Sequence, residues 1–118
     1  MSRVEELHEK LYREGGFTVD NYFHHYAGTG YAVGGVLEAR LPLLVLEIDV
    51  LDELLQTYRR FCFCQPGYLI GAWLGSNNAM AYVELVQIIQ DRDAAINLAR
   101  SRDQKSIYSF EQKEVILV

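Results

Sequence analysis

An uncharged stretch in the middle of the chain constrains the fold most. No charged residue occurs from position 61 to position 83. A helix that crosses a membrane needs about 20 consecutive apolar residues, but Pro and Gly at positions 66–67 and a Gly-Ser-Asn-Asn run at 75–78 interrupt this stretch. These are turn residues. The pattern therefore predicts two buried strands, Tyr68–Leu74 and Met80–Ile89, joined as a hairpin, and no membrane segment.

The residues before this hairpin predict two helices and several short extended segments. Ser2 and Glu5 have the spacing of a capping box, and a glycine pair at 15–16 ends the first helix. Positions 17–19 and 31–33 are predicted as short strands separated by glycine turns, with a break at 34–35. A strand is expected over 43–48, with Pro42 at its start. Asp49 is expected to cap a second helix over 50–61.

The residues after the hairpin predict one more helix and a second hairpin. The helix begins near Asp91 or Asp93 and ends around Ser101, and strands are expected over 106–110 and 114–118. Hairpin-linked strands favour antiparallel pairing. We therefore expect one α+β domain over residues 1–118, with a mostly antiparallel sheet of about five to six strands and three helices packed on it. Because strand 68–74 is apolar on both sides, we expect cover on both of its faces.

Charge and cysteine content narrow the class of partner. The net charge is −5 and the sequence pI is about 5.1, which argues against non-specific nucleic-acid binding. Residues 1–14 are charged throughout, so no signal peptide is expected. Cys62 and Cys64 are too close for an unstrained disulfide and too few for a zinc site. They are predicted to be free core thiols, which fits a cytoplasmic location.

Motifs along most of the chain resemble those of a family of small proteins encoded by phages and other mobile elements. They are GGFTVD at 15–20, GYAVG at 30–34, LIGAW at 69–73, YVE at 82–84, residues 91–98, QKSIY at 104–108 and EVI at 114–116. The family has no settled biochemical role, so the resemblance implies a phage or mobile-element setting rather than a mechanism. The chain departs from the family pattern at Glu84, where aspartate is expected, and in the helix and the 61–64 segment between motifs.

Aromatic and histidine residues supply the candidate binding site. Tyrosines suit interfaces because they offer a large contact area at little cost in side-chain freedom. The cluster around Tyr22, Tyr26 and Tyr31 is equally compatible with core and with a binding surface. Adjacent histidines on a loop are poorly placed to ligate one metal ion together, so a surface loop is the expected setting for His24 and His25. The predicted binding residues are Tyr22, His24, His25, Tyr26, Tyr31 and Trp73.

No catalytic residue, metal ligand or cofactor site is predicted. The glycines at 28, 30, 34 and 35 lack the following helix and the lysine of a phosphate loop, and no nucleophile elbow occurs. We expect a non-enzymatic module that binds a protein partner, with a homodimer as one form. In the phage setting this suggests an accessory or anti-defence protein that binds a host protein. The alternative is a small-ligand or nucleotide-binding domain in which Tyr31 and Trp73 form a stacking pocket. A third hypothesis is an enzyme built on His24 or His25.

Overall fold

Three helices and six strands make up the computed structural model, which describes residues 2–75, 77 and 79–118 (the backbone only for Cys64). In chain order the elements are α1 (Arg3–Glu14), β1 (Gly16–Val19), β2 (Tyr31–Pro42), a 3-10 turn (Leu43–Val45), α2 (Ile48–Cys64), β3 (Tyr68–Leu74), β4 (Met80–Ile89), α3 (Arg92–Ser101), β5 (Ser106–Ser109) and β6 (Glu114–Leu117). The strands form one curled antiparallel sheet in the order β1-β3-β4-β2-β5-β6. The predicted α+β fold is confirmed.

The two long strands predicted from the uncharged stretch pair as expected. β3 and β4 run antiparallel, with Tyr68 opposite Gln87 and Leu74 opposite Ala81. The N–H of Gly75 donates to the carbonyl of Met80 at 2.8 Å and closes the hairpin. Two residues of its predicted loop, Ser76 and Asn78, lie outside the described residues. β4 is therefore an inner strand with β3 on one side and β2 on the other.

The prediction for residues 31–48 was wrong in two respects. The glycines at 34–35 do not break the chain, because β2 continues to Pro42 with only an irregularity of register between Val33 and Leu37. The strand expected over 43–48 does not form, because this segment makes a 3-10 turn and leads into α2. Side chains of β2 before Pro42 alternate between the two faces of the sheet. Ala39 faces the helix-side core, and its neighbours Glu38 and Arg40 face the opposite side.

The helix ends follow the expected capping chemistry at two of three N-termini. The hydroxyl of Ser2 accepts from the N–H of Glu5 at 3.1 Å, and Asp91 accepts from the N–H of Ala94 at 2.8 Å. Gly15 ends α1 with φ at +89°, a left-handed conformation that favours glycine. α2 is longer than predicted and has Glu47, not Asp49, at its N-cap position, without a side-chain capping bond.

All three helices pack on the same face of the sheet. α1 and α2 cover β1, β3, β4 and the second half of β2, where the fully buried side chains include Leu7, Leu11, Leu51, Leu55, Ile70 and Leu85. α3 covers the start of β2 and β5, where Val33, Ala95, Ala99 and Ile107 form a second cluster. Residues that alternate with these along each strand point to the opposite face.

The opposite face is not covered by a helix, contrary to the expectation that β3 is covered on both sides. Three glycines and one alanine occupy that face near its centre: Gly16, Gly34, Gly71 and Ala32. Because these residues carry little or no side chain, the curl of the sheet buries Gly34 and Gly71 without a second layer. Small residues on a curled sheet leave a hollow. Among the described residues, no helix is both long enough and apolar enough to cross a bilayer.

Candidate functional site

The concave face of the sheet contains a groove of about 930 Å³. We call this space the groove. Its floor is formed by the small residues of β1, β2 and β3 together with two side chains of β4, Glu84 and Val86. The rim of the groove is completed by Lys10 and Glu14 of α1, by the loop from His25 to Gly28, and by Phe110 and Lys113. Because the small floor residues are glycines and an alanine, they leave a space, and the larger side chains of the rim enclose it.

Aromatic rings stand on two sides of the groove. The rings of Trp73 and Tyr82 stack with 5.5 Å between centroids and 9° between planes. On the other side, the ring of Phe110 packs edge-on against Tyr26 at 4.6 Å and against Tyr108 at 5.2 Å. Trp73 keeps 36% of its surface exposed. Rings held by other rings present fixed faces and edges to a bound molecule.

A carboxyl group lies at the floor of the groove. Glu84 is only 4% exposed, and its Oε2 has no hydrogen-bond partner among the described residues. Its carboxyl lies over Gly34, where a Cβ would be 2.8 Å from Cδ of Glu84. Gly34 therefore provides the space that the carboxyl occupies. A buried polar atom without a partner costs about 1–3 kcal/mol, so this group requires an explanation.

The surroundings of Glu84 favour its protonated form. Burial is the main cause. A hydrogen bond between the protonated carboxyl and Glu38, directly opposite on β2, is the second cause, and the negative charge of Glu38 is the third. The backbone N–H of Gly35 acts in the opposite direction. Together they raise the pKa of Glu84 from 4.5 to about 8. At neutral pH the floor of the groove therefore contains a neutral carboxylic acid that is hydrogen-bonded to Glu38.

Three of the six predicted binding residues line the groove. Trp73 and Tyr26 belong to its aromatic sides, and the hydroxyl of Tyr26 donates to the carbonyl of Thr29 at 2.8 Å. His25 lies on the rim, where its backbone forms an isolated bridge with Val19. Burial, followed by the charges of Lys10 and Arg3, lowers the pKa of His25 below 6.5. His25 is therefore neutral at neutral pH.

The other three predicted binding residues lie elsewhere. Tyr31 packs with the cluster under α3, on the helix side of the sheet, so it does not form a stacking pocket with Trp73. Tyr22 is 61% exposed, and its ring meets that of Phe63 edge-on at 5.9 Å. His24 is exposed, with Nδ1 4.0 Å from a carboxylate oxygen of Asp20. The aromatic loop therefore divides between core, groove and outer surface.

Sequence reasoning missed the two carboxyl groups. Glu84 is the only charged residue in the strand Met80–Ile89, and a lone acid in an apolar strand is a signal of a functional or specially accommodated group. Glu38 gave no such signal because it alternates normally with apolar neighbours. Their proximity depends on the pairing of β2 with β4, and the strand wrongly predicted at 43–48 concealed that pairing.

The cysteine and metal-ligand candidates considered from the sequence, and the glycines at positions 30 and 35, contribute little to the groove. Cys62 packs at the edge of the helix-side core, and burial raises the pKa of its thiol. Gly30 and Gly35 adopt left-handed backbone conformations at strand β2 rather than before a helix. Within the described part of the chain, no group of three or more His, Cys, Asp or Glu side chains is placed to hold a metal ion.

No family model, no curated protein and no solved structure matches the chain. Function is therefore inferred from the residues of the groove.

Replacing Glu84 by glutamine tests its protonation in the folded state. The folded-state pKa lies above 4.5, so Glu84 contributes stability that is fully present below about pH 4.5 and lost as the pH rises to about 8. Relative to E84Q, the wild type should therefore lose about 5 kcal/mol of unfolding free energy across that range. Urea unfolding of both proteins at several pH values measures this difference in unfolding free energy. E53Q, at an exposed position of α2, is the matched control, and a constant difference between wild type and E84Q would contradict the assignment.

Replacing Gly34 by alanine tests the packing of the carboxyl. The new Cβ would be 2.8 Å from Cδ of Glu84, and such overpacking costs about 1–3 kcal/mol. The cost should fall in a Glu84→Ala background, where the carboxyl is gone, as a double-mutant cycle of unfolding free energies measures. Gly71→Ala is the control, because its Cβ would make an ordinary 3.5 Å contact with Val86. Equal costs of Gly34→Ala in both backgrounds would show that the two residues do not touch.

Proposed function

We propose that the protein binds a small organic molecule in the groove, and that its role is binding rather than catalysis. The observation that carries this proposal is the groove of about 930 Å³, with small residues and Glu84 at its floor and aromatic rings at its sides. Of the three functions that the sequence left open, small-ligand binding is the one that the geometry of the groove supports best.

The dimensions and lining of the groove fit a small ligand. Ligand pockets usually measure about 300–1,000 Å³ and combine apolar surface with a few polar groups that fix orientation. The groove, at about 930 Å³, is at the upper end of that range. Trp73, whose ring is held by stacking on Tyr82, and the cluster around Phe110 offer the apolar surface. A molecule with a flat ring fits this arrangement.

The arrangement of small residues also supports binding. Gly71 has room for a Cβ, since the nearest side-chain atom would be 3.5 Å away, yet the position carries none. A larger side chain there would project into the groove beside Trp73, which is the side that Cβ would approach. Gly71 is therefore not required by backbone packing. Ligand binding would explain the glycine at position 71, because a glycine there keeps the groove open.

A separate surface supports protein binding as a second function. We call Tyr22, Phe63 and Arg59 the Tyr22 patch. Tyr22 and Phe63 are 61% and 54% exposed, and the Arg59 guanidinium lies 5.5 Å from the Phe63 ring centroid. Exposed aromatics with arginine are typical of interface centres. In the phage or mobile-element setting, a cytoplasmic host protein would be the partner of an accessory or anti-defence factor. A second copy of the chain is the simplest occupant to test.

Trp73 provides a direct test of ligand binding because it is the only tryptophan in the chain. A library of nucleotides and ring-containing metabolites should include compounds that change its fluorescence saturably and raise the melting temperature. Gly71→Leu should abolish both responses by filling the groove, whereas Gly71→Ala should retain them. Responses that survive Gly71→Leu, or the lack of any saturable response across the library, would contradict the proposal.

Light scattering tests self-association through the Tyr22 patch. If the patch pairs two copies, the wild type should have twice the 13.5 kDa mass of one chain, and Phe63→Ser should return it to the single-chain mass by removing an exposed ring. Leu44→Ser is the control, because Leu44 is 93% exposed and lies outside the patch. A single-chain mass for the wild type at high concentration would rule out the homodimer.

A further inference from the structure

Resting on the proposed function, we propose that the ligand of the groove is an organic anion, in which a carboxylate or phosphate group is attached to a flat ring. The ring lies against Trp73 or Phe110, and the anionic group is bound by Lys10 or Lys113. The chemical class of the ligand follows from the charged side chains that line the groove and from their position beside its aromatic sides.

Two of the three lysines in the chain line the groove, although the chain as a whole is acidic. The net charge is −5, yet Lys10 and Lys113 are both on the rim. Neither forms an ion pair with a described residue. Because no carboxylate is in contact with these ammonium groups, their positive charge is available to an anion in the groove.

The acids that line the groove oppose this charge only weakly. A carboxylate oxygen of Glu14 lies 3.6 Å from the guanidinium of Arg13. Glu84 is shielded from solvent, and its neutral carboxyl is hydrogen-bonded to Glu38. Glu38 does not line the groove and lies 3.3 Å from the guanidinium of Arg40. The charged groups that a ligand can reach in the groove are therefore mainly positive.

The two lysines are at opposite edges of the sheet, each on the same side as one set of aromatic rings. Lys10 is in α1, which directly precedes the edge strand β1, and Lys113 is in the turn before the other edge strand, β6. Trp73 pairs with Gly16 of β1, and Phe110 precedes Lys113 by three residues. An anionic group on a ring at either aromatic side therefore has a lysine on its own side of the groove.

A neutral or cationic ligand would use less of this lining. An ammonium group has three N–H donors and no acceptor, so Lys10 and Lys113 can form charge-assisted hydrogen bonds with a carboxylate or a phosphate. A cation would be repelled by both lysines. The exposed face of a tryptophan can attract a cation, but it packs equally well against the flat ring of an anion.

Four probes with the same phenyl ring test the charge of the ligand. They are phenyl phosphate, phenylacetate, 2-phenylethanol and phenethylamine, which at neutral pH are a dianion, a monoanion, a neutral alcohol and a cation. Titration of Trp73 fluorescence at low salt should give affinities that fall in this order, with phenylacetate about two- to fivefold tighter than 2-phenylethanol. At about 0.15 M salt, where the screening length is about 8 Å, the two anions should bind more weakly and the alcohol should be unchanged.

Lysine variants locate the anion, and the third lysine provides the matched control. Lys10→Gln and Lys113→Gln together should reduce the affinity for phenylacetate to that of 2-phenylethanol, a loss of about two- to fivefold. Unchanged binding of the alcohol would prove that the groove is intact. Lys105→Gln removes the same charge at an exposed position that does not line the groove, and it should leave phenylacetate binding unchanged.

The outcomes separate the failure of the anion from the failure of the proposed function. If the alcohol or the amine binds at least as tightly as phenylacetate, and Gly71→Leu removes that binding, the anion is rejected and ligand binding stands. The anion is also rejected if Lys105→Gln weakens phenylacetate as much as the double variant does. If no probe binds, library anions that the double variant weakens would support the inference, and any other set of binding compounds would overturn it. If neither probes nor library bind, both proposals are rejected.

Discussion

The alternation of side chains along β4 is the constraint on which the rest of the structure depends. Ala81, Val83 and Leu85 point toward the helices and are almost fully buried, and Tyr82, Glu84 and Val86 alternate with them on the groove side. A shift of one residue in pairing would exchange the two sets and place the carboxyl in the helix-side core. The register with β3 and β2 therefore fixes the core and the floor of the groove at the same time.

Burial of Glu84 is energetically unfavourable, and the fold reduces its cost without removing it. Raising the pKa keeps the group neutral at neutral pH and avoids most of the penalty for a buried charge. Gly34 makes room for the carboxyl, and the N–H of Gly35 supports it. Oε2 nevertheless remains without a partner. The hydrogen bond between the protonated carboxyl and Glu38 offsets part of this cost.

Local signals predicted most of the fold, and long-range pairing explains what they missed. Turn residues around positions 66 and 75 defined β3 and β4 to the residue, and capping residues located α1 and α3. The extent of β2 was not predicted because glycines usually break a strand. Here Gly34 makes room for the side chain of Glu84, a residue distant in sequence, and the strand continues. For the same reason the residue types of Trp73 and Tyr26, which line the groove, drew attention to them, whereas the pairing of Glu84 with Glu38 required the register of the sheet.

The protonation state of Glu84 is the central claim, and carboxyl carbon NMR measures it most directly. With carbon-13-labelled glutamate and E84Q to assign the resonance, the side-chain carbon of Glu84 can be followed between about pH 3 and about pH 9. A titration midpoint near 8 in the free protein is the expected result. A midpoint near 4.5, the ordinary value for a glutamate, would contradict the account, because Glu84 would then be a solvated carboxylate rather than a neutral acid at the floor of the groove.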